Sequence, residues 1–331
     1  MRAQRTVNAR EGHAQRAVAR RSLAARPVLA TAAPSSVLAP SDMTTLGKTS
    51  VRVPVMGVGA WSWGDRSGYW GYGTEYGKEE SRAAYKALMS AGLTFIDTAE
   101  VYGFGKSEEF LGEFMREAPP GSPAPVVATK FAPLPWRFTA ASVVLGAKAS
   151  LARLGVPSMG LYMQHWPGYG PQYFCNDAYL EGLAEVANSG LAAAVGVSNF
   201  NAERVRGAVR KLGQRGVPLA SNQVRGKYSA GGAKPGGPRQ LVYGELRLRQ
   251  VQPVLDAVRA VAEERGKTMA QVSLNWCICK GALPIPGAKN ERQLAELAGA
   301  LGWRLSDAEV AELDAVSGRV PPGQGFPVEN W

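Results

Sequence analysis

Four side chains suited to proton transfer follow apolar stretches of this sequence. Asp97 and Tyr102 lie in FIDTAEVYG, Lys130 ends PVVATK and His165 ends LYMQH. A phenol is a weak acid, with a pKa of about 10, but a nearby ammonium lowers that pKa. A carboxylate would keep the lysine charged, and a neutral imidazole would orient a substrate oxygen. The group predicts Tyr102 as a general acid that protonates a carbonyl oxygen while another group attacks the carbon.

Each of the four residues also has a purely structural interpretation. An Asp and a Tyr close together in a loop commonly shape a turn, a lysine is often a solvated charge, and a lone histidine usually packs in a core. A functional interpretation is favoured because the residues end successive apolar runs. Asn199 in AAVGVSN and Gln223 in LASNQ continue the series at nearly even intervals.

The elements that must position these residues are parallel strands. Strands buried on both faces have continuous apolar sequences, and the active sites of barrels lie where such strands end. Each interval between strand ends is long enough for one covering helix and two loops. Regular alternation of strands and helices indicates an α/β fold with a parallel sheet.

Apolar periodicity and end signals place the individual elements. A first strand is expected within VRVPVMGVGAW (51–61), and a late one at LPIPG, ending at Gly287. Helical periodicity and caps predict helices at 79–92, over SEEFLGEFM, and at 139–155, 177–189, 201–213, 250–265, 268–280, 290–300 and 306–317.

Small and hydrogen-bonding groups on the later strands predict a nucleotide site. The side-chain amides of Asn199 and Gln223 suit the carboxamide of a nicotinamide ring. In PIPGAKN, Gly287 would let the backbone approach a phosphate, and Lys289 offers a charge for a 2′-phosphate. Alone, Gly287 and Lys289 would form an ordinary turn. No GxGxxG follows a strand, so a Rossmann site is not indicated.

Charge is concentrated at the start of the chain. The net charge is +11, and residues 1–40 contain seven arginines but one acidic residue, Glu11. This composition predicts a transit peptide, for a chloroplast or alternatively a mitochondrion, ahead of one domain at 41–331. A basic arm for nucleic acid is the weaker interpretation, because no aromatic residue is interleaved there for stacking on bases.

Composition argues against two further classes of protein. No apolar run approaches the length of a membrane span. The three cysteines, Cys175, Cys277 and Cys279, form no metal-binding pattern, so we expect buried, reduced thiols and no metal. The expected partner is a small carbonyl substrate, with no nucleic acid and no membrane, and the sequence does not determine the oligomeric state.

Together these motifs resemble the aldo-keto reductase family. FIDTAEVYG, VVATKF, LYMQHWP, VGVSNF, SNQ and PIPGAKN are similar to its successive signatures, in order, from residue 51 to about 328. KFAPLPWR and the closing LGWRLSDAEV most resemble plant and algal plastid members. The resemblance implies an α/β (β/α)8 TIM barrel that reduces aldehydes or ketones with NADPH.

The resemblance also implies roles for individual residues. The catalytic residues would be Asp97, Tyr102, Lys130 and His165. The nicotinamide end would be bound by Ser198, Asn199 and Gln223, and the adenosine phosphate end by Gly287, Lys289 and Gln293. Trp61 would border substrate and cofactor. Trp136 and Trp166 would line the carbonyl pocket, although large aromatic residues here could equally serve packing.

The sequence departs from the family pattern after Val224. A helix and a seventh strand should follow Gln223, but residues 225–249 are rich in glycine and proline, and only RGKYS is similar to the expected segment. LVYGELRL (241–248) is a poor substitute strand because of its glycine and charges. We therefore expect a barrel without its seventh βα unit, as a skipped exon or faulty gene model would leave it. The alternative function is a catalytically impaired, nucleotide-sensing or scaffold protein.

Overall fold

A computed structural model describes residues 38–224 and 245–320 of the chain. From residue 58 to residue 223, strands and helices alternate as the sequence predicts. Among the described residues from 245 to 320 only helices are found, and the strand expected at LPIPG is reduced to a bridge at Gly287. The 1–40 segment predicted as a transit peptide lies almost entirely outside the described residues, as does most of the divergent 225–249 stretch.

Six consecutive strands form one parallel sheet in sequence order, so each strand is hydrogen-bonded to the next one along the chain. They are β3 (Val58–Gly59), β4 (Phe95–Asp97), β5 (Val126–Phe131), β6 (Leu161–Gln164), β7 (Val195–Ser198) and β8 (Leu219–Gln223). The central strands β4 to β7 are buried almost throughout, as expected for a parallel sheet covered on both faces. All six strand ends therefore point to the same edge.

The segment that ends at Gly287 lies beside β3, on the side opposite β4. The amides of Gly57 and Gly59 donate to the carbonyls of Pro284 and Pro286 at 3.0 and 2.9 Å, and Gly59 forms a parallel bridge with Gly287. This contact, which we call the seam, joins the late segment to the first strand of the sheet. Among the described residues, no strand lies between β8 and the seam.

The strand expected at 51–61 is two strands in two different sheets. β2 (Arg52–Pro54) pairs antiparallel with β1 (Met43–Thr45) in a separate hairpin, and β3 begins the parallel sheet. The hairpin ends just after Pro54, where the Val55 amide donates to the Asp42 carbonyl oxygen at 2.8 Å.

Nine helices are described, close to the predicted positions. Their bounds are α1 (Lys78–Ser90), α2 (Lys106–Arg116), α3 (Ala140–Leu154), α4 (Asn176–Asn188), α5 (Ala202–Gly213), α6 (Glu245–Arg265), α7 (Met269–Cys279), α8 (Glu291–Ala298) and α9 (Asp307–Gly318). α6 begins five residues earlier than predicted, so the end of LVYGELRL is helical and its first four residues lie outside the described ranges. On α7, Cys277 is exposed, so the expectation of a buried thiol is wrong there.

The late helices form a core of their own. Val254, Val258 and Val261 of α6 pack with Val272 of α7 and Leu313 of α9. The ion pair of Arg265 with Glu309 also joins α6 to α9. None of the helices in the described part of the chain is long and apolar enough to cross a membrane.

Candidate active site

The ends of β4 and β5 hold a buried ion pair. The Nζ atom of Lys130 donates to both carboxylate oxygens of Asp97, at 2.7 and 2.8 Å, and to the carbonyl oxygen of Thr98 at 2.8 Å. Lys130 is 1% exposed and Asp97 is 3% exposed. Burial works to lower the pKa of Lys130, but Asp97, with a smaller contribution from Tyr102, outweighs it and raises that pKa. The lysine is therefore held as an ammonium.

Tyr102 lies against this ammonium. Its phenol oxygen is 3.4 Å from the Nζ atom of Lys130, which is also 4.9 Å from the centre of the phenol ring. Tyr102 begins a short 3-10 turn, Tyr102–Gly105, in which Phe104 has a φ of 55°. Turns of this kind present a side chain directly beyond a strand end, and here that side chain is the predicted acid.

His165 completes the cluster. It directly follows β6, and its amide donates to the carbonyl oxygen of Phe131 at the end of β5, at 2.8 Å. Its ring lies edge-on to the ring of Tyr102, with a centroid separation of 5.5 Å. The structure therefore brings together all four residues of the predicted catalytic group.

Aromatic side chains surround Tyr102 unevenly. Trp61 stacks on the rings of Tyr102 and Tyr69, with centroid separations of 5.6 and 5.8 Å. The rings of Trp166 and His165 have a centroid separation of 4.6 Å. Trp136, in contrast, is 71% exposed. Trp61 and Trp166 thus adjoin the reactive cluster, whereas Trp136 has the exposure of a rim residue.

The residues predicted for the nicotinamide end follow β7 and end β8. The Nε2 atom of Gln223 donates to Asp97 at 3.2 Å. Asn199 has a left-handed backbone, with a φ of 61°, and its Nδ2 atom donates to the carbonyl oxygen of His165 and to the Oγ atom of Ser198. These three side chains are therefore linked by hydrogen bonds to the predicted catalytic group.

Of the residues predicted for the phosphate end, Gly287 is part of the seam, and Lys289 and Gln293 follow it. The Nζ atom of Lys289 donates to the carbonyl oxygen of Trp70, lies 3.1 Å from Glu75 and sits over the Tyr76 ring. Gln293 accepts a hydrogen bond from the Lys289 amide at 2.8 Å. Sequence reasoning missed the loop that binds Lys289. Its one signal was the run of glycines between Trp61 and Gly77.

The comparison that decides the family is with the sequence profile of the Aldo/keto reductase family. It matches residues 55–229 and 226–317, which is most of the chain. This chain belongs to the aldo-keto reductase family. The two matched segments meet at the position where the sequence departs from the family pattern.

Named relatives agree with this assignment. The chain is 34% identical to the chloroplastic pyridoxal reductase of Arabidopsis thaliana over 312 positions, covering 81% of this chain and 84% of that protein. It is 32% identical to an uncharacterized oxidoreductase of Mycobacterium tuberculosis, covering 73% of this chain and 83% of the relative.

A solved relative connects the fold with a nucleotide. The aldo-keto reductase of Klebsiella pneumoniae, crystallised with NADPH, is 27% identical and has a TM-score of 0.60, covering 84% of this chain and 95% of its own. The described sheet and helices are therefore those of an α/β barrel of aldo-keto reductase type.

The alignment with the Arabidopsis protein contains gaps in this chain. The alignment has 312 positions, but it contains only 81% of the 331 residues of this chain. The remaining positions are residues of the Arabidopsis protein that have no counterpart in this chain. The four residues predicted as catalytic all precede Val224.

One structural observation, the buried side-chain oxygen of Gln223, fits a bound nicotinamide nucleotide. The Oε1 atom of Gln223 is buried and has no hydrogen-bond partner among the described residues, while its Nε2 atom is held by Asp97. A buried carbonyl without a donor is costly. A primary carboxamide, such as that of nicotinamide, would supply the missing donor at this position.

Proposed function

We propose that this protein reduces aldehydes and ketones to alcohols with NADPH, and that Tyr102 is the general acid. The observation that carries the proposal is the contact of the Tyr102 phenol with the ammonium of Lys130, itself held by Asp97. An ammonium stabilises the phenolate that remains after proton transfer. A tyrosine so placed can give up its proton near neutral pH, which an isolated phenol does poorly.

NADPH, when bound, supplies the hydride that adds to the carbonyl carbon. Gln223, Ser198 and Asn199 would hold its nicotinamide end, and Gly287, Lys289 and Gln293 its adenosine phosphate end. Space beside Gly287 is open, since a Cβ there would approach one described atom, the Gly59 carbonyl oxygen, at 3.7 Å. The preference for NADPH over NADH would depend on the charge of Lys289.

The chain's own residues divide the proton chemistry among them. Tyr102 donates its proton to the substrate oxygen as charge develops there. Lys130 stabilises the resulting phenolate, and Asp97 keeps Lys130 charged. His165, beside the Tyr102 ring, orients the substrate oxygen by a hydrogen bond. Trp61 and Trp166 border the same space and exclude water from it.

An aromatic aldehyde is the substrate class we favour. The similar Arabidopsis protein is a pyridoxal reductase. Rings beside the reactive group, notably Trp61 stacked on Tyr102, suit an aromatic or heteroaromatic aldehyde by stacking. Trp136 would contribute from the rim. The name of that relative also favours a chloroplast as the compartment, with residues 1–40 as the transit peptide.

One observation favours a second function. The divergent stretch after Val224 stands where the family pattern has its seventh βα unit, and the loop after that strand is expected to contact the phosphates of the nucleotide. A protein in which this change has abolished turnover but not nucleotide binding would act as a catalytically impaired, nucleotide-sensing or scaffold protein. Micromolar or tighter NADPH binding without turnover would favour this alternative.

The test compares Tyr102→Phe with the unaltered protein. NADPH binding, measured by its fluorescence, should be retained, whereas reduction of pyridoxal and of simpler aromatic aldehydes should fall by roughly a hundredfold or more, the scale of a lost general acid. Tyr85→Phe is the matched control, since Tyr85 is buried on α1, away from the strand ends. Equal turnover in Tyr102→Phe and the control would exclude Tyr102 as the acid.

A further inference from the structure

A short link joins the last residue of β4, Asp97, to Tyr102. The four residues Thr98 to Val101 connect Asp97, which is fixed by Lys130, to Tyr102. The link is anchored to β5, because the amides of Thr98 and Glu100 donate to the carbonyls of Ala128 and Lys130, at 2.8 and 3.4 Å. The position of Tyr102 depends on what holds this link in place.

Glu100, in the middle of the link, is clamped from the neighbouring loop. Its Oε1 atom accepts a hydrogen bond from the Ala132 amide at 2.6 Å, and its two carboxylate oxygens pair with the two Nη atoms of Arg137. The Glu100 side chain is 7% exposed. Bidentate pairing fixes direction as well as distance, so the carboxylate has one defined position.

Arg137 is itself held firmly. Its Nη1 atom donates to the Ala132 carbonyl oxygen at 3.0 Å, and its guanidinium lies over the Phe131 ring at 5.0 Å. Its carbonyl oxygen accepts a hydrogen bond from the Tyr179 hydroxyl on α4 at 2.6 Å. The clamp thus ties the link of Tyr102 to residues that directly follow Lys130 along the chain.

The contact that this clamp would control, between the Lys130 ammonium and the Tyr102 oxygen, is a long hydrogen bond. The separation of 3.4 Å between Lys130 and the Tyr102 oxygen is near the upper limit for a hydrogen bond. A displacement of about 1 Å would break it, and displacements of that size can reduce turnover by about a hundredfold.

We propose that the Glu100–Arg137 pair is a positioning device that sets the distance between the Tyr102 phenol and the Lys130 ammonium. The proposal rests on the proposed function of Tyr102. Neither residue of the pair is a catalytic residue. Their effect on turnover passes through the link, so loss of the pair should separate the phenol from the ammonium and raise the pKa of Tyr102.

The matched control is a second buried ion pair. Glu108 on α2 is fully buried and pairs with Arg153 of α3, and it also accepts a hydrogen bond from Thr129. Glu108→Gln and Glu100→Gln therefore remove the same charge from similar surroundings. Glu108 is not part of the link, so it reports what loss of a buried ion pair does to the fold alone.

The experiment uses the full chain and two readouts. The first is the kcat for aldehyde reduction, with NADPH affinity measured separately by fluorescence. The second is the ionisation of the Tyr102 phenol, followed by ultraviolet absorbance as the pH is raised. Each protein is titrated with and without the Tyr102→Phe substitution, and the difference between the two curves is the titration of Tyr102. The second readout needs no turnover. It therefore decides the positioning role even if Tyr102 is not the acid, an outcome that Tyr102→Phe kinetics reveals separately.

We expect Glu100→Gln and Arg137→Gln to lower kcat by about tenfold to a hundredfold while NADPH affinity changes less than about twofold. The titration midpoint of Tyr102 should rise in both variants and stay in place in Glu108→Gln. Unchanged Tyr102 ionisation in both clamp variants would overturn the proposal. So would a fall in kcat no larger than that of Glu108→Gln. If Glu100→Gln fails to fold, Arg137→Gln provides the same test.

Discussion

The two lysines of the site, one at each end of the proposed nucleotide, differ in how the fold holds them. Lys130 is 1% exposed and has its ion-pair partner on the neighbouring strand, whereas the side chain of Lys289 is 22% exposed and pairs with Glu75, a loop residue that is 68% exposed. The proposed proton-transfer end is thus built into the sheet, whereas the proposed phosphate end is held by a loop.

The two ends of the site therefore depend on different segments of the fold. The four residues predicted as catalytic lie in strands β4 to β6 and the loops that follow them, all before Val224. The residues predicted for the phosphate end depend on the seam and on the loop that carries Glu75. Damage to this barrel should therefore weaken nucleotide binding before it alters proton chemistry.

Lys130→Met should have the largest effect on stability. It leaves the Asp97 carboxylate buried without its ammonium, and breaking a buried pair in this way costs about 3–5 kcal/mol. Urea unfolding measures the loss, with Lys289→Met as the control. A loss below about 1 kcal/mol would show that Lys130 and Asp97 are not a structural part of the sheet.

Lys289→Met should change nucleotide choice more than stability. A charged hydrogen bond contributes about 1.5–3 kcal/mol, so affinity for NADPH should fall by roughly tenfold to a hundredfold while affinity for NADH stays the same. Fluorescence titration with both nucleotides measures the ratio. Equal weakening for the two would mean that Lys289 does not read the 2′-phosphate.

The ion pair of Arg265 with Glu309 joins α6 to α9, away from both lysines, and serves as a reference for the pH dependence of stability. Hydrogen bonds from Arg265 and Ser306 lower the pKa of Glu309 to about 2 from its ordinary 4.5. Because the folded pKa is depressed, this stabilisation is present above about pH 4.5 and is lost as the pH falls toward about 2. Glu309→Gln should cost about 1 kcal/mol at neutral pH and nothing near pH 2, measured by urea unfolding. A constant cost across this range would contradict the assignment.

Glu75→Gln should have the smallest effect, and a favourable one. Glu75 competes with a phosphate for the Lys289 ammonium, so its neutralisation should strengthen NADPH binding by about twofold to fivefold, the scale of an exposed ion pair. Glu79→Gln is the control, since Glu79 is exposed and pairs with Arg82 instead. The gain should vanish in a Lys289→Met background. A gain that persists there would exclude the competition.

Much of this organisation could be predicted from the sequence, for a physical reason. Apolar runs that end in Asp97, Lys130 and His165 describe strands and strand ends at once, so one pattern predicted both the sheet and the residues that meet at its edge. The helices followed from periodicity and caps, such as Thr139 and Ser306, which accept hydrogen bonds from the first turns of α3 and α9.

The remainder depended on contacts between residues distant in sequence. Nothing near Lys289 shows that Trp70 and Glu75 hold its side chain, and nothing near Glu100 shows that Arg137 clamps it. The splitting of 51–61 was missed because a hairpin strand and a barrel strand have the same apolar character. Roles of the site residues for cofactor and substrate remain predictions, supported by the geometry around Tyr102 and Gln223.

The seam has a consequence for the order in which the molecule assembles. It joins β3 to a segment near the end of the chain. Beside it, the Trp63 indole donates to the carbonyl oxygen of Ala288, which is 225 residues further along the sequence. Closing so long a loop costs entropy before any contact compensates for it, so such contacts form late in folding. Strands β4 to β7 can pair progressively as the chain emerges, but the seam must wait for residues 284–288. Amide hydrogens of Gly57 and Gly59 should accordingly exchange with solvent before those of β5.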